Sequence, residues 1–443
     1  MSSLSASRRP AAAVLTALAT LAAGLVLAAP ARAANVVTPG NFTGYGFDQC
    51  TAPSQRAMDA WLFGSPYWAV GIYISGASRG CLSQPNLTPA WVGTQLAKGW
   101  RLLPITLGPQ ASCTTRARYL EQVRISSDPT RSYERARTQG RAEARKTVGA
   151  ATRLGISTGS TLWYDLEGFD STRTNCRESA LSFLHAWTRQ LHTLGYRSGV
   201  YSSAASGIRM LDDARVNRPG TYVMPDQIWI ADWNRRADVY SSYVRNSGWM
   251  PHKRVHQYRG DHNETYNGVT INIDNDWVDV GRGSDPGREP SHCGGAASYN
   301  FSTYIVRSVG DRGARVRAIQ CLLKNKRIYA GTVDGIYDAE TGAAVRTYRI
   351  SRGLGSSTTM SQSTWIALLS QGEVVLQKYG AAGPAVRRLQ RALNAADPAG
   401  LSITGVFESR TMAAVKAYQG GHGMKRTGVA GKGVWRRLMS GTP

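Results

Sequence analysis

Acidic residues are scarce in this chain: its 443 residues hold 29 Asp and Glu against 53 Lys and Arg, a formal net charge of +24. Such a balance favours polyanions as partners. No nucleic-acid motif accompanies the charge, which argues against nucleic acid as the partner. No CxxC or Cys/His spacing of a zinc site is present, and no dense Asp/Asn loop of a calcium site. No metal and no cofactor is expected. After the first 33 residues, no apolar run is long enough to span a membrane.

What is there begins with an export leader. Arg8-Arg9 give a short basic start, Ala11 to Ala29 an apolar run, and Ala31-Arg32-Ala33 a small-x-small cleavage pattern. Ser7-Arg8-Arg9 matches the twin-arginine route weakly, because Pro10-Ala11 follow where that motif takes bulkier residues. Residues 1–33 therefore predict a signal peptide and a secreted, wall-associated chain. Removing them takes three arginines away, so the +24 falls to about +21. Outside a cell the polyanions are anionic wall polymers. A monomer without an integral membrane segment is expected. The six cysteines, Cys50, Cys81, Cys113, Cys176, Cys293 and Cys321, are an even number in an exported chain, and three disulfides follow.

The C-terminal third repeats itself at an offset of 70 with no gap. Gly313-Ala314-Arg315-Val316 matches Gly383-Pro384-Ala385-Val386, Gln320 matches Gln390, and Gly335-Ile336-Tyr337 matches Gly405-Val406-Phe407. Trp365 and Leu368 match Trp435 and Leu438. Within a unit, Val316, Ile319 and Leu323 fall on one helical face, and Thr341, Val345 and Tyr348 on another. Asp338 and Ser361 stand where helix caps belong. Each unit reads as three short helices, over 305–371 and 375–441. The pattern resembles the peptidoglycan-binding domain that accompanies cell-wall hydrolases, with Arg349 and Thr404 as departures. The resemblance implies peptidoglycan as partner, with weak single sites strengthened by tethering. Residues 284–304, rich in Gly, Ser and Pro, read as a linker. Cys293 in it and Cys321 in the first unit form a natural staple.

Residues 40–283 alternate strand-like and helix-like runs. Strands are predicted near 44–49, 68–75, 101–107, 161–167, 197–202, 227–233, 254–258 and 269–278. Helices are predicted over 55–63, 89–100, 130–154 and 178–194. Eight strands in this length predict an α/β fold, a (β/α)8 barrel, irregular where no helix separates the last two strands. Barrel chemistry sits at the C-terminal ends of strands. Asp48 ends the first strand; Asp165 and Glu167 end the fourth and, two apart, share a face. Asp274 lies on the eighth. Tyr73, Tyr201, Trp233 and Tyr258 stand near the same rim. Acids beside aromatic faces suit a sugar: a proton donor, a negative stabiliser and stacking platforms. Cys81 and Cys113 follow neighbouring strands and are paired here, which leaves Cys50 with Cys176; both bonds would brace the mouth.

Gly46-Phe47-Asp48, Asp165-Leu166-Glu167, Gly199-Val200-Tyr201, Trp229-Ile230-Ala231 and Gln257-Tyr258 with Asp274 resemble the motifs of family-twenty-five glycosyl hydrolases, the lysozymes. "GFDQCTAPS", "AVGIYISG", "GVYSS" and "WIADWN" are more similar still to a glycoside-hydrolase-like family of unknown function, common in secreted actinobacterial proteins. The resemblance implies Glu167 as general acid and Asp165 as stabiliser. It implies Asp48 and Asp274 as positioning groups that repel charge on Glu167. One departure is "LLPITLGPQ" on the third strand, which lacks the aromatic–His–aromatic segment of the lysozymes. The resulting expectation is a cell-wall glycan hydrolase, with a non-catalytic wall glycan-binding protein as the alternative.

Overall fold

A computed structural model describes residues 34–245 and 247–443; the leader over 1–33 lies outside them. Eight strands close a barrel in sequence order: β1 (Phe42–Asp48), β2 (Ala69–Ser75), β3 (Arg101–Thr106), β4 (Thr161–Leu166), β5 (Arg197–Ser203), β6 (Gln227–Ala231), β7 (Lys253–Tyr266) and β8 (Val269–Val280). Neighbours are parallel from β1 to β7, while β8 runs antiparallel to both β7 and β1. The expected irregularity has a simple cause. β7 runs to Tyr266 and turns through Asn267 and Gly268, both at positive φ (46° and 75°), straight into β8. Asn-Gly is the preferred pair for such a two-residue hairpin. The outer helices of the barrel are α1 (Gln55–Gly64), α2 (Pro89–Ala97), α3 (Ala117–Leu120), α4 (Thr130–Arg153), α5 (Thr174–Thr193) and α6 (Arg209–Asn217).

The interior is layered. Inward positions recur every second residue along a strand. The lower ones are apolar: Phe42, Leu103, Ile105, Trp163, Trp229, Val255, Val278 and Val280 form one buried cluster. Trp163 and Trp229 meet edge to face at 5.5 Å. Gly199 makes room for them, since a Cβ there would lie 2.3 Å from the Trp163 ring. Above these tryptophans the inward positions turn polar, and the candidate site lies there.

C-terminal to the barrel come α7 (Ala314–Asn325), α8 (Ala339–Ser351), α9 (Gln362–Ser370), α10 (Pro384–Ala396), α11 (Ser409–Gly421) and α12 (Lys432–Met439). The Asp338 carboxylate accepts from Thr341 N and caps α8; Ser361 accepts from Thr364 N and caps α9. Bridges Arg307–Met360 and Arg312–Ile336 have counterparts in Gln377–Ala430 and Ala382–Val406. Trp365 donates to Ile305 O and Trp435 to Val375 O. At the departures the contacts are remade. Thr404 Oγ1 accepts from Gln390 where Asp334 accepts from Gln320, and Arg349 donates to Ser361 while Gln419 donates to Thr427 and Val429 O.

Tethered, independent modules are not what the structure contains. A single apolar core runs through both helical units. Residues 284–304 are laced to it rather than free: Cys293 bonds Cys321, and Arg391 binds Glu289 and Asn300. The second unit docks on the barrel floor. Lys378, 1% exposed, donates to Leu62 O at 2.8 Å. Its ammonium lies 4.7 Å and 5.0 Å from the Trp68 and Trp100 ring centroids. Tyr379 packs edge-on against Tyr45 and Trp277.

Candidate active site

The reversal of β8 builds the site. Antiparallel pairing sets Asp274 opposite Asp48 and Asp276 opposite Gly46. Residues two apart share a face, so Asp48, Asp274 and Asp276 all point inward, with Asp276 one step deeper in the barrel. Asp165 and Glu167 come from β4 and the turn after it. Gly71 on β2 leaves the space for Asp48, because a Cβ there would meet the Asp48 Cβ at 2.5 Å. Four of the five acids are the expected ones. Asp276 is an addition, fully buried and hydrogen-bonded by Trp229 Nε1 at 2.9 Å.

Gln257 ties the cluster together. Its Nε2 donates to Asp48 Oδ2 at 2.9 Å and Asp274 Oδ2 at 3.1 Å. Its Oε1 accepts from the Tyr201 hydroxyl at 3.0 Å and Trp233 Nε1 at 2.9 Å. An indole N–H can only donate, so the amide orientation is fixed by Trp233. On the opposite wall, the Tyr73 hydroxyl donates to Asp165 Oδ2 at 3.1 Å. Gln110 bridges the end of β4, donating to Asp165 O and accepting from Glu167 N.

Burial dominates the electrostatics. Asp48 is pushed well above the usual carboxylate range by burial, then by the charge of Asp274. Asp165 is raised by burial and by Glu167, although the Tyr73 hydrogen bond opposes the shift. Asp276 is raised by burial and by the charges of Asp48 and Asp274. Asp274 is raised chiefly by burial, while the Asp261 N–H pulls it down. Like charges this close cannot all ionise at once. Glu167 Oε2 forms an ion pair with Arg116 Nη2 at 3.1 Å, and its Oε1 accepts from the Tyr119 hydroxyl at 3.3 Å.

Glu167 borders two grooves. One, of about 270 Å³, is lined by Asp48, Tyr73, Cys50–Cys81, Asp261 and Asp274. The other, of about 350 Å³, is lined by Arg116, Tyr201, Asp232, Trp233 and Tyr243. Asp165 and Asp276 line neither. Trp233 is 60% exposed, and its ring lies on Gly260, where a Cβ would be 2.1 Å from Cζ2. Tyr73 and Tyr201 are occupied in holding Asp165 and Gln257.

Tyr258 does not join the site. Gln257 faces inward, so its neighbour faces out, beside His256 at 6.3 Å. His256 itself is structural, its two ring nitrogens bound to Asp232 O and Asp238 O. The cysteine pairing is also corrected: the bonds are Cys50–Cys81, Cys113–Cys176 and Cys293–Cys321. The loop after β2 folds back onto the end of β1, where Gln84 Nε2 donates to both Cys50 O and Cys81 O. Strand adjacency thus pairs first with second and third with fourth. Arg116, Tyr119 and Gln110 lie on connections after β3, where no periodic signal marks them. Among the described residues, no group of three His, Cys, Asp or Glu is arranged to hold a metal ion, and no helix is long and apolar enough to cross a membrane.

Residues 59–278 match the family described as "Rv2525c-like, glycoside hydrolase-like domain". Residues 382–438 match a putative peptidoglycan binding domain. Among curated proteins none matches the chain. Three solved structures are similar. An uncharacterized B. stearothermophilus protein is 18% identical, covering 53% of this chain and 95% of its own, with a TM-score of 0.32. The Mycobacterium tuberculosis Tat-secreted protein Rv2525c, in complex with HEPES, is 12% identical over 53% and 95%, with a TM-score of 0.35. A family 25 glycosyl hydrolase from Bacillus anthracis is 12% identical over 56% and 94%, with a TM-score of 0.32.

Proposed function

Because the chain joins an Rv2525c-like, glycoside hydrolase-like domain to a peptidoglycan-binding domain, we propose that it is an exported hydrolase of a cell-wall glycan, acting on the peptidoglycan backbone. The observation that carries this is the position of Glu167 between two grooves. A polymer cleaved at its interior needs sugar-binding space on both sides of the proton donor. Three disulfides and no free cysteine among the described residues suit an oxidising, extracellular setting.

In this reading Glu167 protonates the glycosidic oxygen, the C1–O bond breaks with positive charge growing on the sugar, and water adds at C1 and gives up its proton to a carboxylate of the site. Asp165 lies below, out of both grooves, and acts through its charge. Burial and the nearby Glu167 charge raise Asp165 in the resting protein, and positive charge growing on the sugar favours its ionised form. Trp233 offers a stacking face, and Asp48, Asp274 and Gln257 position the wall. The test is digestion of purified peptidoglycan with mass analysis of the soluble products: new reducing-end saccharides support the reading, and intact glycan strands sink it.

One observation favours a wall-binding protein without hydrolysis. Both Glu167 oxygens are already engaged, Oε2 by the Arg116 guanidinium in an ion pair and Oε1 by a hydrogen bond from Tyr119. Acid catalysis requires one of them to be released and to carry a proton.

A further inference from the structure

Beneath the barrel, far from the acids, lies a cavity of about 480 Å³. Its wall is composite. The barrel supplies Arg101, Trp68 and Asn41, the strap Ser284 and Asp285, and the docked helical unit Gln377 and its neighbours. The docking is close: Gly380, at φ 88°, lies where a Cβ would be 2.5 Å from Thr43 O and 2.6 Å from the Phe42 ring. Lys378, caged by Trp68 and Trp100, holds the unit there.

Arg101 is the unexplained feature. It opens β3 with its side chain in this cavity, and among the described residues its Nε has no hydrogen-bond partner. Burial disfavours its charge, yet a guanidinium stays charged in proteins. Asp285, the acid on the cavity wall, is occupied elsewhere. It accepts from Gly287 N at 2.9 Å and lies 3.7 Å from Arg282. A cation held without a counter-charge beside a cavity is poised for an anion from outside. A planar fork of N–H groups suits a carboxylate, and the space holds a few residues of peptide.

We propose that this cavity is a second wall site, in which Arg101 binds a carboxylate of a peptidoglycan stem peptide. The peptide lies between the barrel floor and the second helical unit. The proposal rests on the peptidoglycan-binding domain and not on hydrolysis by the barrel.

The test is calorimetric titration of the mature chain with the free, sugarless tetrapeptide stem of peptidoglycan. Arg101→Gln should weaken binding at least about tenfold, and Arg101→Lys less, because it keeps charge without the fork. Amidating the peptide carboxylates should cost the wild type as much as Arg101→Gln does, and should cost that variant little more. This arm needs no variant to fold. Glu167→Gln should bind the peptide as the wild type does, whatever becomes of hydrolysis. No binding by the wild type, equal binding by Arg101→Gln, or indifference to amidation would overturn the proposal. So would an Arg101-dependent site for a glycerol-phosphate oligomer that leaves the peptide unbound.

Discussion

The indole N–H of Trp233 donates to Gln257 Oε1 at 2.9 Å, while the Gln257 amide holds Asp48 and Asp274. An exposed indole, the buried Asp48 and the half-buried Asp274 are thereby set by one side chain. Gln257→Leu removes a donor from both acids and an acceptor from Tyr201 and Trp233. Unsatisfied buried groups cost about 1–3 kcal/mol, so chemical denaturation should show a loss of about 2 kcal/mol. Quenching of Trp233 fluorescence should rise as the ring is freed.

The buried aspartates predict an unusual pH response. Asp48, Asp165 and Asp276 have folded pKa values above their unfolded ones. The folded state then binds more protons, so stability falls as pH rises from the ordinary aspartate value of 3.8 through the folded values. Asp276→Asn keeps an acceptor for Trp229 and removes one buried charge. It should raise stability at neutral pH by about 0.5–2 kcal/mol and flatten the decline, as thermal melts from pH 4 to 8 would record.

Much of this site is legible in the sequence. The eight strands follow from runs bounded by turn residues, and Asp165 with Glu167 from the two-residue period. Asp276 is open to the same argument: once Asp274 points inward, Asp276 does too. What hides it is the direction of β8, since the "DNDWVD" run reads alike for either hand of pairing. Tyr258 fails for the converse reason. It adjoins Gln257 in sequence and faces the other way on the strand. The disulfide partners depend on a loop folding back over β1, and the Arg116–Glu167 pair on a connection without periodicity. Lys378 carries no local signal, because its partners lie more than 300 residues away.

The Arg116–Glu167 pair bears on catalysis directly. Arg116 has a side chain 53% exposed, and such a pair is worth about 1 kcal/mol or less. Arg116→Gln releases one Glu167 oxygen, so turnover on purified walls should rise, by less than about fivefold. A large fall would mean that Arg116 contacts substrate.

The two barrel disulfides differ in reach. Cys113–Cys176 closes the longer loop, with a sequence separation of 63 against 31 for Cys50–Cys81. Replacing Cys113 and Cys176 together by Ser should cost about 2–5 kcal/mol in thermal or denaturant unfolding. Replacing Cys50 and Cys81 should cost less, and should weaken glycan binding because they line the groove.

Everything proposed for the barrel turns on Glu167 donating a proton to a wall glycan. Reducing-end release from purified peptidoglycan by the mature protein and by Glu167→Gln, with wall binding measured on the same samples, decides the matter. Hydrolysis through Glu167 requires release by the wild type, a loss of at least about a hundredfold in the variant, and equal binding by the two. Equal binding with no release by either protein would contradict it.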